Sequence, residues 1–151
     1  SGPGVKERGK LSHTFTTLMD IAPTFYEIAG VNYPEMFNNR PVYPLRGASM
    51  VPLFQNTEDR IHADDYVFAL EHRGYVLVRK GKWKLVNIDI PFDEANFSLY
   101  DLSTDIAEQN DLKQQFPDVY GELLREWYSY RDEVGVVYPV PQSTGENVKN
   151  E

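Results

Sequence analysis

Histidine side chains offer the chemistry best suited to catalysis or ligand binding near neutral pH, because imidazole titrates in that range. The chain has three, His13, His62 and His72, and no two of them have the spacing that places two metal ligands on one helix face. His72 is the strongest candidate, since Glu71 and Arg73 place a carboxylate and a guanidinium beside it at a predicted hairpin tip. His72 is therefore a candidate substrate-binding residue, and a polar surface turn is the other interpretation of the same residues.

Acidic residues could bind a metal ion at two places. His62 is followed by Asp64 and Asp65, but an exposed acidic loop that leads into a strand explains the same residues. A second group has oxygen ligands at short spacing, yet it does not match the spacing of an EF-hand, and its members suit turns and caps. This second group contains Asp101, Asp105, Glu108 and Asp111. We predict no metal ligand in this chain.

The composition excludes several classes of protein. A formal net charge of −8 and a pI of about 4.9 leave no broad basic surface, so neither nucleic acid nor a membrane is expected as a partner. The one dense basic run, residues 79–84, is interpreted as solvent-facing lysines around a turn. The absence of cysteine removes disulfides, thiolate zinc sites and cysteine nucleophiles. No stretch approaches the ~20 apolar residues that span a bilayer.

A helix is predicted at about residues 20–29, where Asp20 would cap the first amides and Gly30 would end the helix in the left-handed conformation. Its apolar residues lie on more than one side. The connection over residues 31–60 contains only one regular element, a short helical turn capped by Ser49, and is unusually long for a compact domain. We expect helix and connection to expose an apolar patch that faces an absent partner; simple disorder of the connection is the alternative.

The remaining pattern predicts an α+β fold, in which a small antiparallel sheet of about four strands packs against a long C-terminal helix, with the N-terminal helix in addition. The long helix is predicted at 117–134, where apolar residues recur at three- and four-residue spacing and Gly135 follows. Glycine-containing turns separate the first three β-rich runs. The predicted strands are 66–70, 75–79, 83–88 and 97–102.

Four stretches, taken in order, resemble the sulfatases of the alkaline phosphatase superfamily, and specifically the bacterial arylsulfatases. Each stretch is similar to one motif of that family: an Asp-x-x-Pro-Thr helix, a Gly-x-Ser segment, a Glu-His hairpin followed by Arg-x-Gly-x-Trp-Lys-Leu, and a Leu-Tyr-Asp-Leu run. The corresponding residues here are 17–24 with 28–31, 45–54, 71–86 and 99–112. Two departures are Ile106 in place of a proline, and Gly74-Tyr75 in place of a polar residue after the Glu-His pair.

The resemblance implies a parent enzyme, a sulfuric-ester hydrolase, whose formylglycine nucleophile and calcium belong to an upstream catalytic domain of the same chain. The sequence contains neither cysteine nor Ser-x-Pro-x-Arg, so no catalytic residue is assigned and the chain alone is expected to be inactive. Residues 1–10 are interpreted as a cloning scar or a linker from the core, 11–138 as the sulfatase C-terminal domain, and 139–151 as a flexible tail. The implied substrate is a sulfated small molecule or glycan, in a periplasmic or secreted parent.

Two other functions remain open from the sequence. The first is a C-terminal domain of a related phosphonate or phosphodiester hydrolase, which the upstream nucleophile motif would distinguish. The second is a free-standing carbohydrate-binding module, in which Tyr66, Tyr75 and Trp83 would form an aromatic platform.

Overall fold

The chain folds as two units, residues 1–63 and 64–151. A computed structural model describes Gly2 and residues 4–138, so the predicted flexible tail at 139–151 lies outside the described residues. Across the described part of the chain, no helix combines the length and apolar character needed to cross a membrane. The segment boundaries 1–10 and 11–138 stay predictions.

The first unit contains two helices, α1 and α2, and two very short antiparallel strands, β1 and β2. Helix α1 ends as predicted, because Gly30 adopts the left-handed conformation with φ of 66°. The predicted short helix α2 is present, but its N-cap residue is Met50 and not the predicted Ser49. The Ser49 hydroxyl accepts a hydrogen bond from the Val51 amide at 3.2 Å. The bounds are Ile21–Ala29 for α1, Met36–Phe37 for β1, Arg40–Pro41 for β2 and Val51–Phe54 for α2.

The hairpin of β1 and β2 was not predicted from the sequence, which assigned only one regular turn to residues 31–60. Asn38 and Asn39 join its strands with φ of 50° and 60°. A two-residue hairpin turn of this kind requires positive φ at both positions, and asparagine tolerates that conformation better than most residues do. The connection is therefore locally ordered by turn chemistry.

The prediction that Asp20 caps α1 is wrong. Asp20 ends a 3-10 turn, Leu18–Asp20, and its side chain makes no capping hydrogen bond to α1. The carboxylate is fully buried, and it accepts hydrogen bonds from the backbone amides of Thr17 at 2.6 Å and Ala48 at 2.9 Å. Asp20 thus joins the start of the helix to a segment 28 residues further along the chain.

A second buried polar side chain extends this connection. The Thr24 hydroxyl donates to the carbonyl oxygen of Asp20 at 2.5 Å and accepts from the Met50 amide at 2.9 Å. Gly47 lies so close to the 3-10 turn that an added Cβ would meet the Met19 carbonyl oxygen at 2.1 Å. The Asp-x-x-Pro-Thr stretch therefore binds the Gly-x-Ser stretch through hydrogen bonds from backbone amides to the Asp20 and Thr24 side chains. Glycine at position 47 is required for the close backbone approach.

The second unit is an antiparallel sheet of four strands in sequence order, β3 to β6, covered on one face by helix α3. Helix α3 begins and ends as predicted, with a proline in its first turn and Gly135 at φ of 68° after its last residue. The bounds are Val67–His72 for β3, Tyr75–Lys80 for β4, Trp83–Asn87 for β5, Ser98–Asp101 for β6 and Pro117–Val134 for α3. The predicted α+β fold is confirmed.

The hydrophobic core lies between the sheet and α3. On β4 the buried side chains alternate along the strand, as expected when one face of an antiparallel sheet packs on a core. Loss of apolar area on folding stabilises this layer and holds the hairpins that leave it in place. The buried apolar residues are Val76, Val78, Leu85, Phe97, Leu99, Leu123 and Trp127.

Replacement of Gly47 by alanine should destabilise the first unit by at least about 1 kcal/mol, because the Cβ would overlap backbone atoms that cannot move aside independently. Gly121→Ala is the matched control, since its Cβ would meet only Arg125 Nη1 at 3.6 Å and alanine is favoured over glycine inside a helix by about 0.5–1 kcal/mol. Urea unfolding, followed by amide hydrogen exchange in α1 and in β4, measures the change in stability of each unit for both variants. Equal effects of the two variants would contradict the close approach at Gly47.

Candidate functional site

The candidate site is the hairpin that joins β3 to β4. Arg73 and Gly74 form its two-residue turn with φ of 55° and 90°, and His72 is the cross-strand partner of Tyr75. The Glu71 carboxylate accepts a hydrogen bond from the Gly74 amide at 2.7 Å. The turn is therefore held by its own residues, and the ends of both strands keep a fixed separation.

Strand alternation separates the polar residues of this tip. Val76 lies in the core, so its cross-strand partner Glu71 belongs to the same side of the sheet, whereas His72 and Tyr75 project from the opposite side. His72 is exposed, and among the described residues its imidazole makes no hydrogen bond or ion pair. The sequence prediction placed Glu71 and His72 together at the hairpin tip. In the structure Glu71 is hydrogen-bonded to the turn, whereas His72 is exposed on the opposite side of the sheet.

The basic run lies at the other end of the sheet, because Lys80 on β4 pairs with Trp83 on β5. Its lysines were predicted to be solvent-facing, and this is wrong for Lys80, whose Nζ lies 2.7 Å from Glu122 and 3.2 Å from Glu126. Lys82 and Lys84 also form ion pairs, with Asp101 and Glu108 respectively. The run is thus engaged in holding the unit together and does not form a free anion-binding patch.

The acidic group weighed as a calcium site also has structural partners. Asp101 forms an ion pair with Lys82 at 2.6 Å and accepts from the Ser103 amide, and Glu108 pairs with Lys84. Asp105 accepts from two turn amides, those of Gln109 and Asn110, which hold the pKa of its carboxyl below the ordinary value. Asp111 accepts from the Leu99 amide. In the described residues no three His, Asp or Glu side chains come together to hold a metal.

His62 is not part of an exposed acidic loop, and that interpretation is wrong for this residue. Its side chain is 8% exposed, and its Nε2 lies 3.1 Å from Asp20 Oδ2. Asp64 and Asp65 are exposed, as expected. His62 therefore completes the hydrogen bonds of the buried Asp20 carboxylate. No local pattern in the sequence indicates this pair, because 42 residues separate the two side chains.

The aromatic platform considered for carbohydrate does not form. Tyr75 lies at the first position of β4 and Trp83 lies opposite its last position, Lys80. Five steps along a strand separate the backbone positions of Tyr75 and Lys80 by roughly 16 Å, since a strand rises about 3.3 Å per residue. Trp83 packs instead against Phe116, with ring centroids 5.0 Å apart. Tyr75 and Trp83 therefore cannot stack on one sugar ring together, and the platform of three aromatic residues is excluded.

Comparison with known proteins gives a consistent result. The chain is 34% identical over 139 residues to an uncharacterised sulfatase of Schizosaccharomyces pombe, in an alignment that covers 91% of the chain and 25% of that protein. It is 28% identical to arylsulfatase K of Rattus norvegicus, over 78% of the chain and 21% of that protein. It is 27% identical to an N-acetylglucosamine-6-O-sulfatase of Bacteroides thetaiotaomicron, over 82% of the chain and 22% of that protein.

The chain is a sulfatase-family domain. The resemblance found in the sequence is thus confirmed, and the matches are consistent with a C-terminal domain. The chain spans about a quarter of the length of these curated relatives. No family model matches the chain.

Solved structures share the sulfatase fold of this domain. A Bacteroides thetaiotaomicron protein with a provisional sulfatase assignment matches 94% of the chain and 32% of its own, with a TM-score of 0.66 and 20% identity. A protein solved with its substrate D-glucosamine-2-N,6-O-disulfate matches 77% of the chain and 24% of its own, with a TM-score of 0.53 and 23% identity. At these identities the likeness concerns the fold alone.

The Asp20 carboxyl should make the first unit sensitive to acid. Burial by itself would raise its pKa, but the hydrogen bonds from the Thr17 and Ala48 amides and from His62 outweigh burial and hold the pKa below the ordinary value. The charged carboxylate therefore stabilises the fold above the unfolded-state pKa of about 3.9, and this contribution is lost as the pH falls through the lower folded-state pKa.

Asp20→Asn should accordingly lower the free energy of unfolding of this unit at pH 7 by ~1.5–3 kcal/mol, as expected when hydrogen bonds to a charged group are lost. It should also remove the loss of stability at low pH that protonation of the Asp20 carboxylate causes. Urea titrations between pH 7 and pH 3 measure both effects. Asp59→Asn, which changes an exposed carboxyl in the same unit, should leave the pH profile unchanged, and a profile that matched Asp20→Asn would refute the assignment.

Proposed function

We propose that this chain is the C-terminal domain of an arylsulfatase, a sulfuric-ester hydrolase, and that it completes the substrate cleft of an upstream catalytic domain. The geometric observation that supports this proposal is the position of His72. It is an exposed imidazole without an intramolecular partner among the described residues, and it stands at the end of a strand in a rigid sheet. Such positions suit a side chain that must reach a neighbouring cleft with a fixed orientation.

The chemistry of sulfate-ester cleavage requires groups that this chain does not supply. The family resemblance implies a formylglycine nucleophile and a calcium ion, yet the sequence has no cysteine or Ser-x-Pro-x-Arg, and the described residues form no metal-binding group. These groups would therefore belong to the upstream domain, and no catalytic step is assigned to residues of this chain.

His72 would contribute by donating a hydrogen bond from its imidazole to a sulfate oxygen or to the oxygen of the leaving group. A hydrogen bond to a charged group is typically worth ~1.5–3 kcal/mol. The substrate would be a sulfated small molecule or glycan; a structural neighbour whose substrate is D-glucosamine-2-N,6-O-disulfate supports the glycan class. Tyr75, on the same face as His72, places an aromatic ring beside the imidazole where the family more often has a polar residue.

The isolated chain should not hydrolyse an aryl sulfate above background, even with calcium, because the implied nucleophile and metal ligands lie outside it. A colorimetric aryl sulfate assay on the purified chain and on the complete polypeptide makes the comparison. Activity in the isolated chain that disappears when one of its own residues is changed would overturn the proposal that the nucleophile and the metal ligands lie in the upstream domain.

In the complete polypeptide, His72→Ala should lower kcat/KM by about tenfold or more while leaving the fold intact, because an exposed side chain is removed and a hydrogen bond to the transition state is lost. His13→Ala is the matched control, since His13 is also exposed but lies in the other unit. Steady-state kinetics over a series of leaving groups locate the contact: a loss that varies with the leaving group places it on the leaving-group oxygen. Unchanged kinetics across the series would make His72 a polar turn residue.

A further inference from the structure

The chain contains one Asn-x-Ser/Thr tripeptide, Asn96-Phe97-Ser98, among its nine asparagines. This tripeptide, with any residue except proline in the middle, is the acceptor sequence for N-linked glycans. The position of the hydroxyl is a strict requirement, because it must follow the asparagine by two residues. Residues 56–58, Asn-Thr-Glu, fail this requirement, since their hydroxyl follows the asparagine directly. Asn96 is therefore the single acceptor that the sequence offers.

The structure places Asn96 where a glycan has room. Asn96 is exposed and ends a 3-10 turn, Glu94–Asn96, in the connection between β5 and β6. Its backbone amide donates to the Asp93 carbonyl oxygen at 3.0 Å, whereas its side-chain amide has no hydrogen-bond partner among the described residues. A sugar attached to Nδ2 of Asn96 would therefore replace no contact of the described fold.

Neighbouring contacts hold this point of the connection in place. The Asp93 side chain caps the 3-10 turn. The Asn87 side-chain amide donates to the Asp93 carbonyl oxygen at 2.6 Å, and the buried ring of Phe97 lies beside Phe92 with ring centroids 5.8 Å apart. Because the residues on both sides of it are anchored, Asn96 is a fixed attachment point on the surface of the second unit.

We propose that Asn96 is an N-glycosylation site of the complete polypeptide. The transfer joins Nδ2 of Asn96 to the anomeric carbon of a lipid-pyrophosphate-linked oligosaccharide. The bond between that carbon and the pyrophosphate oxygen breaks, Nδ2 loses one proton, and the lipid pyrophosphate leaves with the bonding electron pair. No group is oxidised or reduced, and an oligosaccharyltransferase catalyses the step. The proposal does not depend on the reaction that the polypeptide itself catalyses.

The fold also determines when the transfer takes place. Phe97 is 0% exposed, and Ser98 is the first residue of β6, where it pairs with Val86 of β5. A transferase that reads the asparagine and the hydroxyl together needs the backbone between them to be free of the sheet. The glycan is therefore added before β6 pairs with β5. The folded polypeptide should be an acceptor at least ~10-fold poorer than a peptide of residues 92–100, because access requires local opening of a core strand.

Mass spectrometry of the complete polypeptide from its natural source tests the proposal. Trypsin releases a peptide of residues 85–113, which contains Asn96 together with Asn87 and Asn110. This peptide should carry a sugar, and its fragment ions should place the sugar on Asn96. An unmodified peptide 85–113, or a sugar on another of its residues, would overturn the proposal.

Substitutions in the same host separate recognition of the tripeptide from other causes. Asn96→Gln and Ser98→Ala should each abolish the glycopeptide, whereas Ser98→Thr retains the required hydroxyl and should preserve it. Asn56→Gln is the matched control, since Asn56 is also exposed but lacks a hydroxyl two residues later. Asn96→Gln should leave the melting temperature of the enzymatically deglycosylated protein unchanged, so loss of the sugar is not a failure to fold. A glycan that persists in Ser98→Ala would refute the assignment.

Purified oligosaccharyltransferase tests the order of events. With the peptide of residues 92–100 and the folded polypeptide as competing acceptors, the peptide should be glycosylated at least ~10-fold faster. Equal rates would contradict transfer before the sheet forms.

Discussion

The buried carboxylate of Asp20 is the constraint on which the first unit depends. A charge removed from water must be compensated by hydrogen bonds, and here two backbone amides and one imidazole supply them. Those donors come from three separate places in the chain, Thr17, Ala48 and His62, so satisfying the charge also fixes the path of the connection. In a unit without buried apolar side chains among its described residues, polar satisfaction sets the fold.

The second unit is stabilised mainly by buried apolar side chains, and its elements were predicted well from the sequence for that reason. Helix α3 was predicted with its observed bounds, because a proline and a glycine mark its ends and its apolar residues repeat with helical period. The strands were predicted to within two residues at each end, since turn residues separate alternating runs. Local chemistry and burial agree throughout this unit, which is the condition under which sequence patterns are informative.

The features that escaped prediction are those that depend on distant partners or on turns without glycine. The residues next to His62 in the sequence do not indicate that it binds Asp20. Likewise, the residues next to Lys80 do not indicate that it forms ion pairs with two carboxylates of α3. The Asn38-Asn39 turn contains neither glycine nor proline, which are the strongest local turn signals in a sequence. At the candidate site the strand period is informative from the sequence alone: adjacent residues of a strand face opposite sides, so Glu71 and His72 do not share a face.

The hairpin tip divides its residues between two duties that do not overlap. Glu71 and Gly74 maintain the turn through a single hydrogen bond, while His72 and Tyr75 face away from the core. Substitution of the outward pair should therefore cost the scaffold little. Side chains on the outer face of the tip can vary by point substitution with little effect on folding, and this separation makes the hairpin an evolvable element of the domain.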